Sequence, residues 1–111
     1  MELGCVTNLN LANNRIKKLA GLAKLFALQR LDLSSNFIDE WDELDYLGSL
    51  PCMENISLNG NPLAQAVDYR ARVLSRFSER QISEMYVDNE RGVLHEIDTA
   101  LVLRALRIAR Q

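Results

Sequence analysis

Apolar and polar positions in the first half of the chain follow a pattern that returns three times: Val6-x-x-Leu9-x-Leu11-x-x-Asn14, Leu28-x-x-Leu31-x-Leu33-x-x-Asn36 and Met53-x-x-Ile56-x-Leu58-x-x-Asn61. The asparagines stand 22 and then 25 residues apart. Within each copy one polar residue separates two apolar ones: Leu9 and Leu11, Leu31 and Leu33, Ile56 and Leu58. Side chains of a strand alternate between faces, so each pair points inward from a short strand and its neighbours face solvent. A unit this small cannot bury its apolar face alone, and stacking successive units in a parallel sheet solves the problem. Asn14, Asn36 and Asn61 carry amides that both donate and accept, which suits them to the backbone groups left where the chain turns out of the sheet, a structural role. Beyond the asparagines, Ile16, Leu19, Leu22 and Leu25 are matched by Ile38, Trp41, Leu44 and Leu47. Three-residue steps predict short helical turns on the convex side, with Trp41 in the core. Gly48-Ser49-Leu50 accounts for the longer second repeat, and Pro51 restarts the next.

The third copy ends differently. After Asn61-Pro62-Leu63, Asp68 is placed to cap a helix with Tyr69, Val73 and Phe77 on one stripe and Leu74 beside it. A short strand is expected at Met85 to Val87, followed by a loop from Asp88 to Gly92. Asp98 or Thr99 then caps a last helix, with Ile97, Leu101, Ala105 and Ile108 on one face and Val102 and Leu106 alongside. The fold class is thus α/β: a solenoid with a short parallel sheet, an irregular or helical convex side and a C-terminal helical cap. Repeats occupy residues 1–63 and the cap residues 64–111. Without the cap, the last repeat would leave apolar surface and an open strand edge in water. At the other end, Leu3-Gly4 reads as the tail of a preceding repeat with no polar capping element before Val6. The sequence therefore reads as part of a longer protein, and an exposed strand at Val6 to Leu11 could pair with a second copy.

Composition narrows the function more than the fold. The 111 residues are 48% apolar and 25% charged, as in one ordinary domain. Thirteen Lys and Arg against fifteen Asp and Glu leave a net charge of −2, so no overall field draws in nucleic acid or anionic lipid. No apolar run approaches the roughly 18 residues of a membrane span, and Glu2 follows Met1 where a leader would carry basic residues. A cytoplasmic location is expected. Cys5 and Cys52 hold the same repeat position two repeats apart, about 10 Å at about 4.8 Å per strand, beyond the roughly 7 Å limit for a disulfide. Both read as reduced thiols.

The outward strand residues are the leading candidates for function, because a curved sheet presents them as a rigid platform. The rows are Asn8, Arg30 and Asn55, then Asn10, Asp32 and Ser57, then Ala12, Ser34 and Asn59. Eight of these, all but Ala12, form the candidate protein-binding set. They are small and polar and lack the aromatic anchors of a tight interface, so a solvated sheet face competes evenly. Asp39, Glu40, Asp42, Glu43 and Asp45 form an acidic run opposite Arg15, Lys17 and Lys18 of the first repeat, and read as a solvated face. Arg72, Arg76 and Arg80 recur along the cap helix and Arg104, Arg107 and Arg110 along the last one. They supply the alternative reading, an electrostatic binder of phosphoinositide or RNA. Catalysis finds no support. His95 is the one histidine and reads as a loop residue, and the chain has no nucleophile motif, phosphate loop or Cys/His cluster. No cofactor, metal or nucleic-acid partner is expected.

The repeat resembles the leucine-rich-repeat (LRR) family, whose arrays hold other proteins. From about Leu3 onwards the chain is also similar to the nischarin, or imidazoline-receptor protein, family. The likeness rests on Leu47-Gly48-Ser49-Leu50-Pro51-Cys52-Met53-Glu54, Asn61-Pro62-Leu63, Asp68-Tyr69-Arg70, Val73-Leu74, Phe77-Ser78-Glu79-Arg80, Asp88, and Glu96-Ile97-Asp98-Thr99 before an apolar helix. Departures fall mainly at outward-facing positions and in Asn89 to His95. The resemblance implies an intracellular scaffold, brought to endosomes by a phosphoinositide-binding PX domain outside this chain. Partners implied with it are integrin complexes, Rac and Rac-pathway kinases, in the control of cell migration. The family's integrin-binding segment lies outside the repeats. A further expectation is that this segment only caps and stabilises a longer array.

Overall fold

The structure, a computed structural model, describes residues 5–110; the repeat tail expected at Leu3-Gly4 lies outside them. Three strands, β1 (Asn8–Asn10), β2 (Arg30–Asp32) and β3 (Asn55–Ser57), pair in parallel and in register, Leu9 beside Leu31 beside Ile56. Each is followed by a left-handed residue, Asn13 (φ 60°), Ser35 (φ 57°) or Gly60 (φ 79°), just before the repeat asparagine. The chain then returns over the convex side through 3₁₀ turns at Ala20–Leu22, Trp41–Leu44 and Pro62–Gln65, with a short helix α1 (Asp45–Gly48) after the second. Leu19, Leu28, Leu31, Leu33, Ile38, Leu44, Leu47, Ile56 and Leu58 fill the space between sheet and convex turns. The chain is an LRR solenoid of the expected class.

Trp41 departs from expectation. It is half-buried at the edge of the core, 6.5 Å from Tyr69 ring to ring, and carries the Arg72 guanidinium 5.1 Å above its centre. A wide indole at the seam between repeat and cap keeps one face for the core and gives the other to a cation.

The C-terminal region departs further. Asp68 precedes the first helix, but its backbone is left-handed (φ 58°) and its side chain makes no capping bond. The expected single helix is two, α2 (Tyr69–Leu74) and α3 (Glu79–Glu84). The first ends at Leu74 with Ser75 as its C-cap, and Ser78 starts the second. Its hydroxyl accepts from the Gln81 N–H at 3.3 Å, and Gln81 Oε1 accepts from the Ser78 N–H at 3.1 Å, a reciprocal capping box. The buried Gln81 amide also donates to the Leu50 carbonyl at 3.0 Å, tying α3 to the last repeat. Arg72, Arg76 and Arg80 therefore do not share one helix.

Strand β4 (Tyr86–Val87) adds to β3 in parallel, and the expected loop contains β5 (Glu90–Arg91), antiparallel to β4. Asp88 and Asn89, both with positive φ, form the two-residue turn between them, so the described residues make a five-stranded sheet. The final helix α4 (Leu94–Ala109) begins at Leu94, ahead of Asp98 and Thr99. Glu96 Oε1 accepts the Val93 N–H at 3.0 Å while its Oε2 receives Arg70 Nε at 2.9 Å, which fixes the earlier start. The helix packs on the cap through buried Ala100 with Ile97 and Leu101, whereas Ala105 and Ile108 are exposed. Half-buried Arg104 and Arg107 occupy that side instead, their stems covering apolar surface.

Candidate functional site

The asparagines form a stack along the outer edge of the sheet. Asn36 Oδ1 accepts the Ile16 N–H (3.0 Å), and its amide donates to the Leu11 and Leu33 carbonyls at 3.0 and 2.9 Å. Asn61 repeats this one unit on, accepting from Ile38 (3.0 Å) and donating to Leu33 and Leu58 at 2.8 and 2.9 Å. Asn14, exposed, bonds only within its own repeat, to Leu11 and Ala12. The stack ends on Asp88, whose Oδ1 accepts the Leu58 and Asn59 N–H groups (2.9 and 3.2 Å) and whose Oδ2 accepts the Tyr69 hydroxyl (2.8 Å). Burial first, then the hydrogen bond to Asp88 and its charge, push the Tyr69 phenol well above the usual tyrosine range.

The concave face carries the expected rows. In the second, Asn10 accepts the Ala12 N–H (3.0 Å), and Asp32 accepts both the backbone N–H and the hydroxyl of Ser34 (3.0 and 2.6 Å). These polar groups are engaged locally. The first row is longer than expected: strand register continues Asn8, Arg30 and Asn55 through Tyr86 to Arg91. Arg91 lies 5.2 Å over the Tyr86 ring, and Asn55 donates to Asn89 Oδ1 at 3.1 Å while its own Oδ1 is buried without a partner. No carboxylate among the described residues lies within ion-pair distance of Arg30 or Arg91. Two adjoining depressions share Arg30, Asn55 and Asn89; one extends along the middle strands past Asn8, Asn10, Asp32 and Ser57, the other to Glu54, Tyr86 and Arg91. Ser34 and Asn59 lie outside both.

Sequence reasoning missed Tyr86, Asn89 and Arg91. The inward alternation of Met85 and Val87 was the available signal for Tyr86, because it leaves that residue on the outward face. Arg91 had no such signal, its place depending on the left-handed turn at Asp88-Asn89.

Away from the sheet, much of the acidic run has local partners. Glu43 accepts the Leu19 N–H at 2.7 Å and pairs with Lys18 at 3.8 Å, and Asp42 and Asp45 both face Arg76 at 3.4 and 3.0 Å. His95 sits exposed in the first turn of α4, not in a loop. Cys5 and Cys52 are exposed. Among the described residues no group of three or more His, Cys, Asp or Glu is arranged to hold a metal ion, and no helix is long and apolar enough to cross a membrane.

A parallel-strand stack with an asparagine ladder and a polar concave face defines a leucine-rich-repeat chain, and the two-copy pattern "Leucine Rich repeats" matches residues 6–46. The chain is homologous to leucine-rich repeat-containing protein 23. It is 35% identical to the cattle protein over 86% of its own length and 29% of that protein's. It is also 32% identical to the chicken serine/threonine-protein kinase 11-interacting protein, over 69% of this chain and 7% of that one. It thus spans less than a third of these relatives. Among solved structures, the complex of Drosophila SNF and U2A′ contains a chain of the same fold, with TM-score 0.74 and 21% identity over 96% of this chain and 63% of that one.

Proposed function

We propose that this chain is a protein-interaction module that seats a partner on the concave face, centred on Arg30, Asn55, Tyr86 and Arg91. The observation that carries the reading is the first outward row. It aligns one aromatic and two arginines without carboxylate partners on adjacent strands of the outward face. Tyrosine and arginine dominate the energetics of protein interfaces. A partner presenting a carboxylate to the two arginines fits that row. Asn8, Asn10, Asp32 and Ser57 extend the platform, with Ser34 and Asn59 at its margin.

The finer form of this reading is an intracellular scaffold, endosome-associated through domains outside this chain, that engages integrin complexes, Rac or Rac-pathway kinases. It rests on the nischarin resemblance. The names of similar proteins add a kinase-interacting protein and a complex between two proteins, in keeping with protein partners. Affinity capture from cell lysate with the wild-type chain and an Arg30→Ala/Tyr86→Ala double variant, its fold verified by circular dichroism, tests the proposal. Loss of two central anchors is expected to weaken capture by a factor of at least about 30. Undiminished capture of every partner by the folded variant would return the concave face to a solvated surface.

A further inference from the structure

The outer side of α4 combines an exposed apolar stripe with an arginine-lined cleft. Leu94, Val102, Ala105, Leu106 and Ala109 fall within an arc of about 120° at 3.6 residues per turn. All are exposed, Leu94 by 74%, Val102 by 58% and Leu106 by 50%, and His95 and Asp98 interrupt the arc. Where this stripe ends, Arg72, Arg76, Arg107 and Arg110 line a cleft between α2 and α4 together with Leu103 and Leu106. Leu106 belongs to both features.

The cleft is short of negative charge. Arg76 is paired with Asp42 and Asp45; Arg72 stacks on Trp41; Arg107 donates to the Ser75 carbonyl at 3.0 Å. Four guanidinium groups thus meet two carboxylates, an excess of two positive charges. Arg107 is held below the ordinary arginine range, first by burial and then by Arg76. An oxyanion with phosphate geometry suits such a cluster, because the planar forks of arginine donate in pairs to two oxygens. A free phosphate would leave the apolar stripe in water. A bilayer surface answers both needs at one level, with headgroup phosphates beside the acyl boundary into which an amphipathic helix sinks by about 5–10 Å. Asp42 and Asp45 at the rim oppose a polyanion spread across the convex side and restrict the contact to α4 and the cleft.

We propose that the arginine cleft between α2 and α4 binds the phosphate of an anionic lipid headgroup while the exposed apolar stripe of α4 lies against the same membrane surface. This surface is separate from the concave face, and its failure would leave the protein-binding reading untouched. The test is flotation of the 111-residue chain with vesicles of phosphatidylcholine alone or mixed with phosphatidylserine. Wild type is compared with Arg72→Gln/Arg110→Gln, Arg110→Gln alone and Val102→Ser/Leu106→Ser, each matched to wild type by circular dichroism. Wild type should float with the mixed vesicles and not with phosphatidylcholine. At about 1 kcal/mol per basic residue, the double arginine variant should partition roughly 30-fold more weakly. Arg110→Gln, which spares the stacking on Trp41, should show about fivefold. The apolar variant, at unchanged charge, should lose at least about tenfold. The proposal is overturned by failure to float with mixed vesicles, equal flotation with both, or arginine variants that float undiminished. It is also overturned if the apolar variant floats like wild type while inorganic phosphate competes wild type off, which would mark a site for free phosphate.

Discussion

The repeats and the C-terminal segment satisfy the same kinds of backbone group by opposite means. In the repeats, each buried asparagine serves its own unit and the one before: Asn36 reaches Leu11 and Ile16, and Asn61 reaches Leu33 and Ile38. Beyond residue 68 every contact of this kind occurs once. Asp88 receives Leu58 and Asn59, Gln81 holds Leu50, and Arg70 joins Glu96 to the carbonyls of Val87 and Glu90. Translation can satisfy the interior of a stack with one rule. Its end needs residues that break the rule, and this end carries the new outward residues of the first row.

The sharpest test of that contrast lies inside the stack. Asn61 is 2% exposed, and its side chain makes three hydrogen bonds spanning two repeats. Asn61→Ala strands the Ile38 N–H and takes one of two donors from each of the Leu33 and Leu58 carbonyls, which keep the Asn36 amide and the residue-61 N–H, and a loss of about 3–4 kcal/mol is expected. Asn14 occupies the same repeat position but is exposed and bonds only to its own unit, so Asn14→Ala should cost less than about 1 kcal/mol. Urea midpoints of the two variants give the comparison directly. Equal losses would show that the motif residue matters locally and that the stack carries no long-range share.

A smaller effect is expected at the seam between the two regions. A methyl group on Gly48, at the end of α1, would overlap the backbone carbonyl oxygen of Arg76 just after α2. Neither partner is the mobile end of a side chain, so Gly48→Ala must push the cap away from the convex side. A loss of about 2–3 kcal/mol is expected. Gly21, whose added Cβ meets nothing within 4 Å, is the control and should change little on the same substitution. If the two glycines behave alike in thermal unfolding, the cap is not seated on the repeats through this contact.

The same division separates what the sequence discloses from what it withholds. Strand positions, inward pairs and asparagines of the repeats follow from periodicity, because each is stated three times over. The cap is stated once. Ser78-x-x-Gln81 is a legible capping box, but a stripe through Tyr69, Val73 and Phe77 conceals it by fitting a longer helix equally well. Asp68 has the right residue type for a cap in the wrong backbone conformation. The start of α4 depends on Arg70 reaching Glu96 from 26 residues away, which no local pattern encodes. Of the concave site, Arg30 and Asn55 follow from alternation, whereas Arg91 is aligned with them only because Asp88 and Asn89 take left-handed turns that fold β5 back onto β4.

The smallest of these effects concerns the group that closes the stack. Tyr69 donates to Asp88, and its phenol is raised mainly by burial and secondly by that bond, so the folded chain holds the proton more tightly than the unfolded one. The stabilisation is therefore complete below the unfolded value near 10 and is lost as pH rises beyond it, by up to about 1.4 kcal/mol per pH unit. Tyr69→Phe removes the hydrogen bond, at about 1 kcal/mol near neutrality, and with it this alkaline loss. At about pH 8 wild type should be the more stable of the two, and near pH 11 the variant should equal or exceed it. A difference in urea midpoint that stays constant across that range would mean that the phenol loses its proton as readily in the folded chain as in the unfolded one. The end of the stack would then rest on the Asp88 bonds to Leu58 and Asn59 without help from α2.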